Sequence, residues 1–162
     1  MIGLSNAVMA LALLSTERRP RSQRQLAKEL FDLKKSLGKS FLERTRLGWN
    51  INIRRDAVGY SSSSLDNFIS SFEGAGELES KPGETLKLNR AGIETCKEML
   101  NLACLNHPGE MIIIFRTWNL LGSTAAEKTE RFIREQREEY YRFVLTLAKG
   151  IEFTTNPMKL EE

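Results

Sequence analysis

Few side chains in this sequence have the types and the spacing that catalysis or metal binding requires. The two cysteines, Cys96 and Cys104, are eight residues apart within one predicted helix, too far for a disulfide bond. The single histidine, His107, has no nucleophile beside it in the sequence. No phosphate-binding glycine loop is present either. We therefore predict that the chain is not an enzyme and that it uses no metal or cofactor.

A run of four serines, Ser61 to Ser64, directly precedes an apolar pattern that is typical of a helix. Ser63 or Ser64 can cap this helix, because a serine hydroxyl accepts a hydrogen bond from a free backbone N–H. Serine can equally contact phosphates or base edges. Capping alone and contact with nucleic acid both explain the run. The apolar positions at helical spacing are Leu65, Phe68, Ile69 and Phe72.

Charge is distributed unevenly along the chain, whose net charge is +3. Residues 1–60 carry 12 Lys and Arg against 5 Asp and Glu, a net +7, and residues 61–162 carry 12 against 16, a net −4. A polyanion is attracted to positive charge, so we expect such a partner to bind the first part of the chain. A solvated surface with no partner is the alternative interpretation.

The first part of the chain is predicted to be mainly helical. A helix begins at Ser5 or Asn6 and ends at Ser15. Trp49 and Trp118 are expected in the core rather than as stacking platforms, because large aromatic side chains are usually buried. The first helix is too short to cross a bilayer and no basic residue precedes it, so we predict a cytoplasmic protein that has no signal peptide. The next predicted elements are a helix from Ser22, with a capping box to Gln25, to Gly38; a short helix from Ser40 to Arg46; a strand from Leu47 to Arg54; and a turn at Gly59-Tyr60.

After the serine run and its helix, the pattern changes to a hairpin and then returns to helix. Two alternating segments, residues 77–80 and 85–88, flank a turn. Asn89 is expected to cap the helix that comes next, and His107-Pro108-Gly109 marks a candidate domain boundary. The apolar run from Met111 to Phe115 fits either a buried strand or the start of a helix through Leu121, and the shared face of Ile114, Trp118 and Leu121 favours the helix. A long helix from Thr124 to Gly150 is predicted next.

Three local sequences, in this order, resemble the winged helix-turn-helix superfamily. PRSQRQLAKELFDLKKSLG, residues 20–38, is similar to its second helix, and SSSLDNFISSFEGAGELES, residues 62–80, to its third helix. LKLNRAGIETCKEML, residues 86–100, resembles the second wing strand and the closing helix. PadR-type regulators have a C-terminal dimerisation helix after the winged helix, and the predicted helix from Thr124 would correspond to it. Residues 39–61, ending in Gly59-Tyr60-Ser61, are more similar to the insert of small winged-helix proteins related to Panacea-type antitoxin domains.

The resemblance implies a mainly α, α+β fold with a two-stranded wing and a C-terminal helical extension. Residues 1–106 would form the winged-helix domain, residues 107–155 an extension that forms a homodimer, and residues 156–162 a flexible tail. The expected dimer-interface residues are Ile133, Tyr140, Val144 and Leu147.

The resemblance also implies a transcriptional regulator that binds double-stranded DNA, with its third helix in the major groove and cations on the phosphates. No Lys or Arg lies between Ser61 and Ser80, however, and Arg is the commonest reader of guanine. The alternative is therefore a protein-interaction module, antitoxin-like or adaptor, that does not bind DNA. The predicted DNA contacts are Arg18, Arg19, Arg21, Arg24, Arg44, Arg46, Arg54, Arg55, Ser61, Ser62, Ser63, Asn67 and Lys81.

Overall fold

The computed structural model describes residues 2–79 and 85–121 of the chain. This part is mainly α, with one small two-stranded antiparallel hairpin after the early helices. No helix within the described ranges is long and apolar enough to cross a membrane. In chain order the elements are α1 (Ile2–Ser15), α2 (Gln23–Leu37), α3 (Lys39–Thr45), α4 (Leu47–Asn50), β1 (Arg54–Asp56), β2 (Gly59–Ser61), α5 (Ser63–Gly74), α6 (Arg90–Asn106) and α7 (Pro108–Leu120).

Helix α1 is the centre of the hydrophobic core. From Leu4 to Leu13 every residue except Asn6 is buried, so the helix is enclosed on nearly all sides rather than on the one predicted face. A helix that is apolar all round is stable only in such a position. The helix begins at Ile2, earlier than the predicted start at Ser5 or Asn6, and it packs most extensively against α6.

Helix α2 has the predicted capping box. The Ser22 hydroxyl accepts a hydrogen bond from the Gln25 N–H at 3.2 Å, and the Gln25 side chain accepts one from the Ser22 N–H at 2.7 Å. Gly38 ends the helix with a φ of 86°, a conformation that favours glycine. The buried residues of this helix are Leu26, Ala27, Leu30 and Leu33.

The predicted strand from Leu47 to Arg54 is wrong, because its first four residues form the single turn of α4. Arg46 adopts a left-handed conformation with a φ of 62°, which ends α3 and lets its carbonyl oxygen accept the Asn50 N–H at 3.0 Å. Leu47 and Ile51 are both buried one helical turn apart. Trp49 lies between them on the opposite side and is 84% exposed, so its predicted core position is also wrong.

Strands β1 and β2 form the hairpin that the chain makes before α5. They pair antiparallel, with Arg54 opposite Ser61 and Asp56 opposite Gly59. Gly59 and Tyr60 therefore lie in a strand and not in the predicted turn. The turn precedes them, where the Val58 N–H donates to the Asp56 carboxylate at 2.9 Å.

The predicted hairpin of residues 77–88 pairs antiparallel, and its turn lies outside the described residues. Leu78 and Leu88 form an isolated bridge, with no longer ladder among the described residues of this segment. The second segment also pairs on its other side, because the Leu86 N–H donates to the Arg21 carbonyl at 2.9 Å. The connection between α1 and α2 is thereby fixed to this hairpin.

Helices α6 and α7 complete the core. Asn89 caps α6 as predicted, accepting the Gly92 N–H at 2.9 Å. Trp118 is buried as predicted, and α7 packs against both α2 and α6. The predicted boundary at His107 therefore falls between two helices that share one core. The buried residues of α7 are Met111, Ile114, Phe115 and Trp118.

Candidate functional site

A segment rich in exposed positive charge lies between the end of α2 and strand β1. We define residues 34–55 as the basic segment; it contains seven Lys and Arg and one acidic residue, Glu43. Six of the seven cations are exposed. These are Lys35, Lys39, Arg44, Arg46, Arg54 and Arg55.

Arg54 and Arg55 are positioned by the β1–β2 hairpin. Successive strand residues point to opposite faces, yet both arginines are exposed. The Arg55 guanidinium lies 5.7 Å from the centre of the Tyr60 ring, and Tyr60 packs on Phe31 of α2 with ring centres 4.8 Å apart. These aromatic contacts anchor the hairpin to α2, so the two arginines are held at a defined place.

Arg44 and Arg46 lie at the junction of α3 and α4. The Arg44 guanidinium lies 5.3 Å from the centre of the Phe41 ring, and Phe41 is buried. Arg46 is the residue in the left-handed conformation that joins the two helices, and its side chain is exposed. Both cations face solvent, as a contact with a polyanion requires.

Two of the predicted contact arginines are occupied within the fold. Arg21 is only 6% exposed; its guanidinium donates to the Glu29 carboxylate at 2.9 Å and to the Ser15 hydroxyl. Arg19 donates to the same Glu29 oxygen at 2.9 Å. Burial lowers the pKa of Arg21 and raises that of Glu29, although each group opposes the shift in the other. Arg21 is thus a buried structural residue, which corrects its prediction as a DNA contact.

The other two predicted contact arginines near the α1–α2 connection, Arg18 and Arg24, are at the surface. Arg24 is exposed and lies 3.9 Å from the Asp56 carboxylate at the end of β1. Arg18 is also exposed. A surface ion pair such as that of Arg24 contributes little to stability, so the cation can exchange its carboxylate for a phosphate at low cost.

Ser62 caps helix α5, and its side chain is not available to a ligand. Its hydroxyl accepts the Leu65 N–H at 3.1 Å, and the residue is only 2% exposed. The predicted cap, Ser63 or Ser64, is therefore wrong by one or two residues. The burial of Ser62 also corrects its prediction as a DNA contact.

Asn52 holds the next two serines of the run. Its side-chain oxygen accepts the Ser64 N–H at 3.0 Å and the hydroxyls of Ser63 and Ser64 at 2.9 and 2.7 Å. Its side-chain nitrogen donates to the Ser63 hydroxyl at 2.7 Å. The serine run therefore joins the segment before the hairpin to the start of α5, and a local structural role accounts for it. Ser61 is half-buried in β2.

The outer face of α5 is polar and acidic. Asp66 accepts a hydrogen bond from the Gln23 side chain of α2, and Asn67 and Ser70 are exposed beside it. Glu73 is exposed at the end of the helix. Two of the predicted contacts on this helix are exposed, Ser63 and Asn67. The Ser63 hydroxyl is hydrogen-bonded to Asn52, and the Asn67 amide can donate to a base edge.

No cluster of metal-binding side chains is present among the described residues. Cys96 is buried and Cys104 half-buried; burial raises the pKa of the first thiol to about 12 and that of the second to about 11. A thiol with such a pKa is a poor nucleophile at neutral pH. The predicted contact Lys81 and the predicted interface residues Ile133, Tyr140, Val144 and Leu147 lie outside the described residues, as do residues 122–162 as a whole.

No protein-family model, no curated protein and no solved structure matches this chain.

Proposed function

We propose that this chain is a winged-helix protein that binds double-stranded DNA and acts as a transcriptional regulator. The basic segment carries the proposal, since six of its seven cations are exposed and it contains one carboxylate. Lys and Arg at this density displace counterions from the phosphate backbone, and that release drives binding to DNA. The proposed phosphate contacts come from Arg44, Arg46, Arg54 and Arg55.

The order of the elements supports the winged-helix assignment. Helices α1 and α2 precede α5, and an antiparallel pair comes after α5 before the chain returns to helix in α6. The hydrogen bond from Leu86 to Arg21 ties this pair to the α1–α2 connection, as expected of a wing that packs on its helices. The elements α3, α4 and the β1–β2 hairpin then occupy the insert before the third helix.

In this arrangement the phosphate contacts lie beside α5 rather than on it. Helix α5 offers Asn67 to base edges but also presents Asp66 and Glu73, which repel phosphate. The β1–β2 hairpin is joined to α5 through the serine run. Arg54 and Arg55 would therefore contact the backbone of a duplex that α5 approaches.

The test is fluorescence anisotropy with a labelled random-sequence duplex at about 50 and about 200 mM salt, where phosphate contacts differ strongly in strength. We expect affinity to fall steeply with salt. Replacing both arginines of β1 (R54A/R55A) removes two phosphate contacts and lowers the slope of log affinity against log salt by about 2. Both side chains are exposed, so the variant should fold normally.

The matched control removes the same charge elsewhere, through K97A/R116A on α6 and α7. Lys97 and Arg116 lie outside the basic segment, so this variant should keep the wild-type slope. An equal loss in both variants would show that total charge, and not this site, controls binding. No binding of the wild type at about 50 mM salt would reject the proposal, because non-specific contacts are strongest at low salt.

A protein-interaction module without DNA binding is the second candidate, and the acidic surface of α5 and of the segment after it favours it. Asp66, Glu73 and Glu79 are exposed there, and no Lys or Arg occurs between residues 61 and 80. A basic partner protein would complement this surface. The salt-dependent DNA assay separates the two candidates, since a module of this kind gives no signal with a duplex. The homodimer is likewise a proposal, tested by sedimentation equilibrium.

A further inference from the structure

A wide groove of about 770 Å³ lies beside α4, between that turn, α2 and α3. Apolar side chains and three lysines line it together, with Trp49 at one side. Trp49 is 84% exposed, although a tryptophan gains more from burial than any other side chain of this groove. The lining residues include Phe31, Lys34, Lys35, Lys39, Leu42 and Trp49.

Trp49 is held in its exposed position by the fold. Leu47 and Ile51 anchor the turn of α4 from below, since both are buried in the core. The Lys34 ammonium of α2 donates to the Ile51 carbonyl at 2.7 Å and to the Gly48 carbonyl at 3.4 Å, which fixes the end of the turn. The indole ring is therefore presented by an anchored turn rather than by a free loop.

The shape of the groove argues against a small molecule as its ligand. Small-molecule sites enclose most of the ligand surface, whereas a groove whose largest aromatic ring is 84% exposed encloses little. An extended polymer that lies along the groove needs no such enclosure. The polymer should also be an anion, because Lys35 and Lys39 are exposed in the groove and only one carboxylate, Glu43, is among the lining residues.

We infer that this groove binds single-stranded nucleic acid, with an unpaired base stacked on Trp49 and phosphates at Lys35 and Lys39. Binding of this kind combines a cationic groove with aromatic rings, because every base has a flat face that stacks. An acidic peptide would use the lysines but gains less from an isolated flat ring. The inference depends on stacking at Trp49, which the duplex proposal does not use, although Lys35 and Lys39 belong to the basic segment.

The test uses 12-mer oligothymidine with the full chain. We expect the oligonucleotide to quench tryptophan fluorescence, and W49A to abolish most of the quenching because Trp118 is buried. W49A should weaken binding about tenfold, within the range that one stacked base contributes, whereas W49F keeps a ring and should lose less. V58A is the matched control, since Val58 is an exposed apolar residue outside the groove.

Three results would overturn the inference. They are an unchanged affinity of W49A for oligothymidine, a loss of affinity for a 12-base-pair duplex in W49A as large as its loss for oligothymidine, and competition by polyglutamate as effective as that of the oligonucleotide. The first result would rule out stacking on Trp49, and the second would rule out a preference for unpaired bases. The third would assign the groove to an acidic protein segment. Because Trp49 is exposed, W49A should unfold at the wild-type temperature, so a loss of binding reports on the groove.

Discussion

Replacing Ser62 with alanine tests whether the serine run is structural. The change removes the cap of α5 and leaves the Leu65 N–H without its partner. Loss of a serine cap costs about 0.5–2 kcal/mol. Because Ser62 is only 2% exposed, water cannot easily replace the hydroxyl, and we expect about 1.5 kcal/mol, in the upper part of that range.

The assay is urea unfolding followed by circular dichroism, with an expected shift of the midpoint at an unchanged slope. Ser70→Ala is the matched control, because Ser70 is exposed on the same helix and makes no cap. It should change the free energy of unfolding by no more than about 0.5 kcal/mol. Equal losses in the two variants, or no loss in S62A, would refute the assignment of Ser62 as the cap.

The same variant separates capping from contact with nucleic acid. Ser62 is buried, so folded S62A should bind a DNA duplex with wild-type affinity well below its unfolding transition. A variant of wild-type stability that binds DNA at least tenfold more weakly would instead show that the hydroxyl contacts the ligand. The two interpretations of the serine run thus predict opposite results in the stability and binding assays.

Two further predictions test the core. Gly92→Ala places a methyl group against the Glu77 carbonyl oxygen and should cost about 2 kcal/mol in thermal unfolding, whereas Gly109→Ala, with nothing within 4 Å, should cost nothing. Iodoacetamide at pH 8 should label native Cys96 and Cys104 slowly, because pKa values of about 12 and about 11 leave at most about one thiolate in a thousand. Mass spectrometry should find rapid labelling only in urea, and equally fast labelling of the native chain would contradict their burial.

Helix caps can be predicted from the sequence because their signals are local. Ser22 with Gln25, Gly38 and Asn89 each act on a backbone group within a few residues, and the structure confirms all three positions. The apolar faces of α2, α5 and α6 can be predicted as well, because the spacing of apolar residues along a helix is also a local signal. The sequence pattern misplaces the cap of α5, since four consecutive serines offer the same chemistry.

The segment around Trp49 cannot be predicted from its local pattern because its conformation depends on distant contacts. Leu47 and Ile51 are two apolar residues four apart, which fits a strand of period two and equally a helical turn. The left-handed Arg46 and the bonds from Lys34 decide for the turn. Neither is visible in the spacing of apolar residues, and so the spacing wrongly places the exposed tryptophan in the core.

At the candidate site, the number of charged residues can be counted in the sequence, but the ion pairs that occupy some of them cannot be predicted from it. The positive charge of residues 1–60 includes Arg19 and Arg21, which share Glu29, and Lys28, which pairs with Asp32 at 2.7 Å. Once such pairs are set aside, the exposed cations concentrate in the basic segment. A count of charges therefore finds the right part of the chain but overstates the contribution of the α1–α2 connection.

If the chain binds duplex DNA as proposed, the distribution of its exposed cations would determine how the duplex is recognised. Phosphate contacts from Arg54 and Arg55 would then position the chain on DNA but would read no sequence. Base readout would fall to α5, which has no Lys or Arg and presents Asp66 and Glu73 to solvent. Affinity for duplex DNA should then depend mainly on the backbone and fall with salt, with weak discrimination between sequences. A regulator built in this way needs a second source of specificity, such as a partner on the acidic face of α5 or a second copy of the chain that doubles the length of DNA contacted.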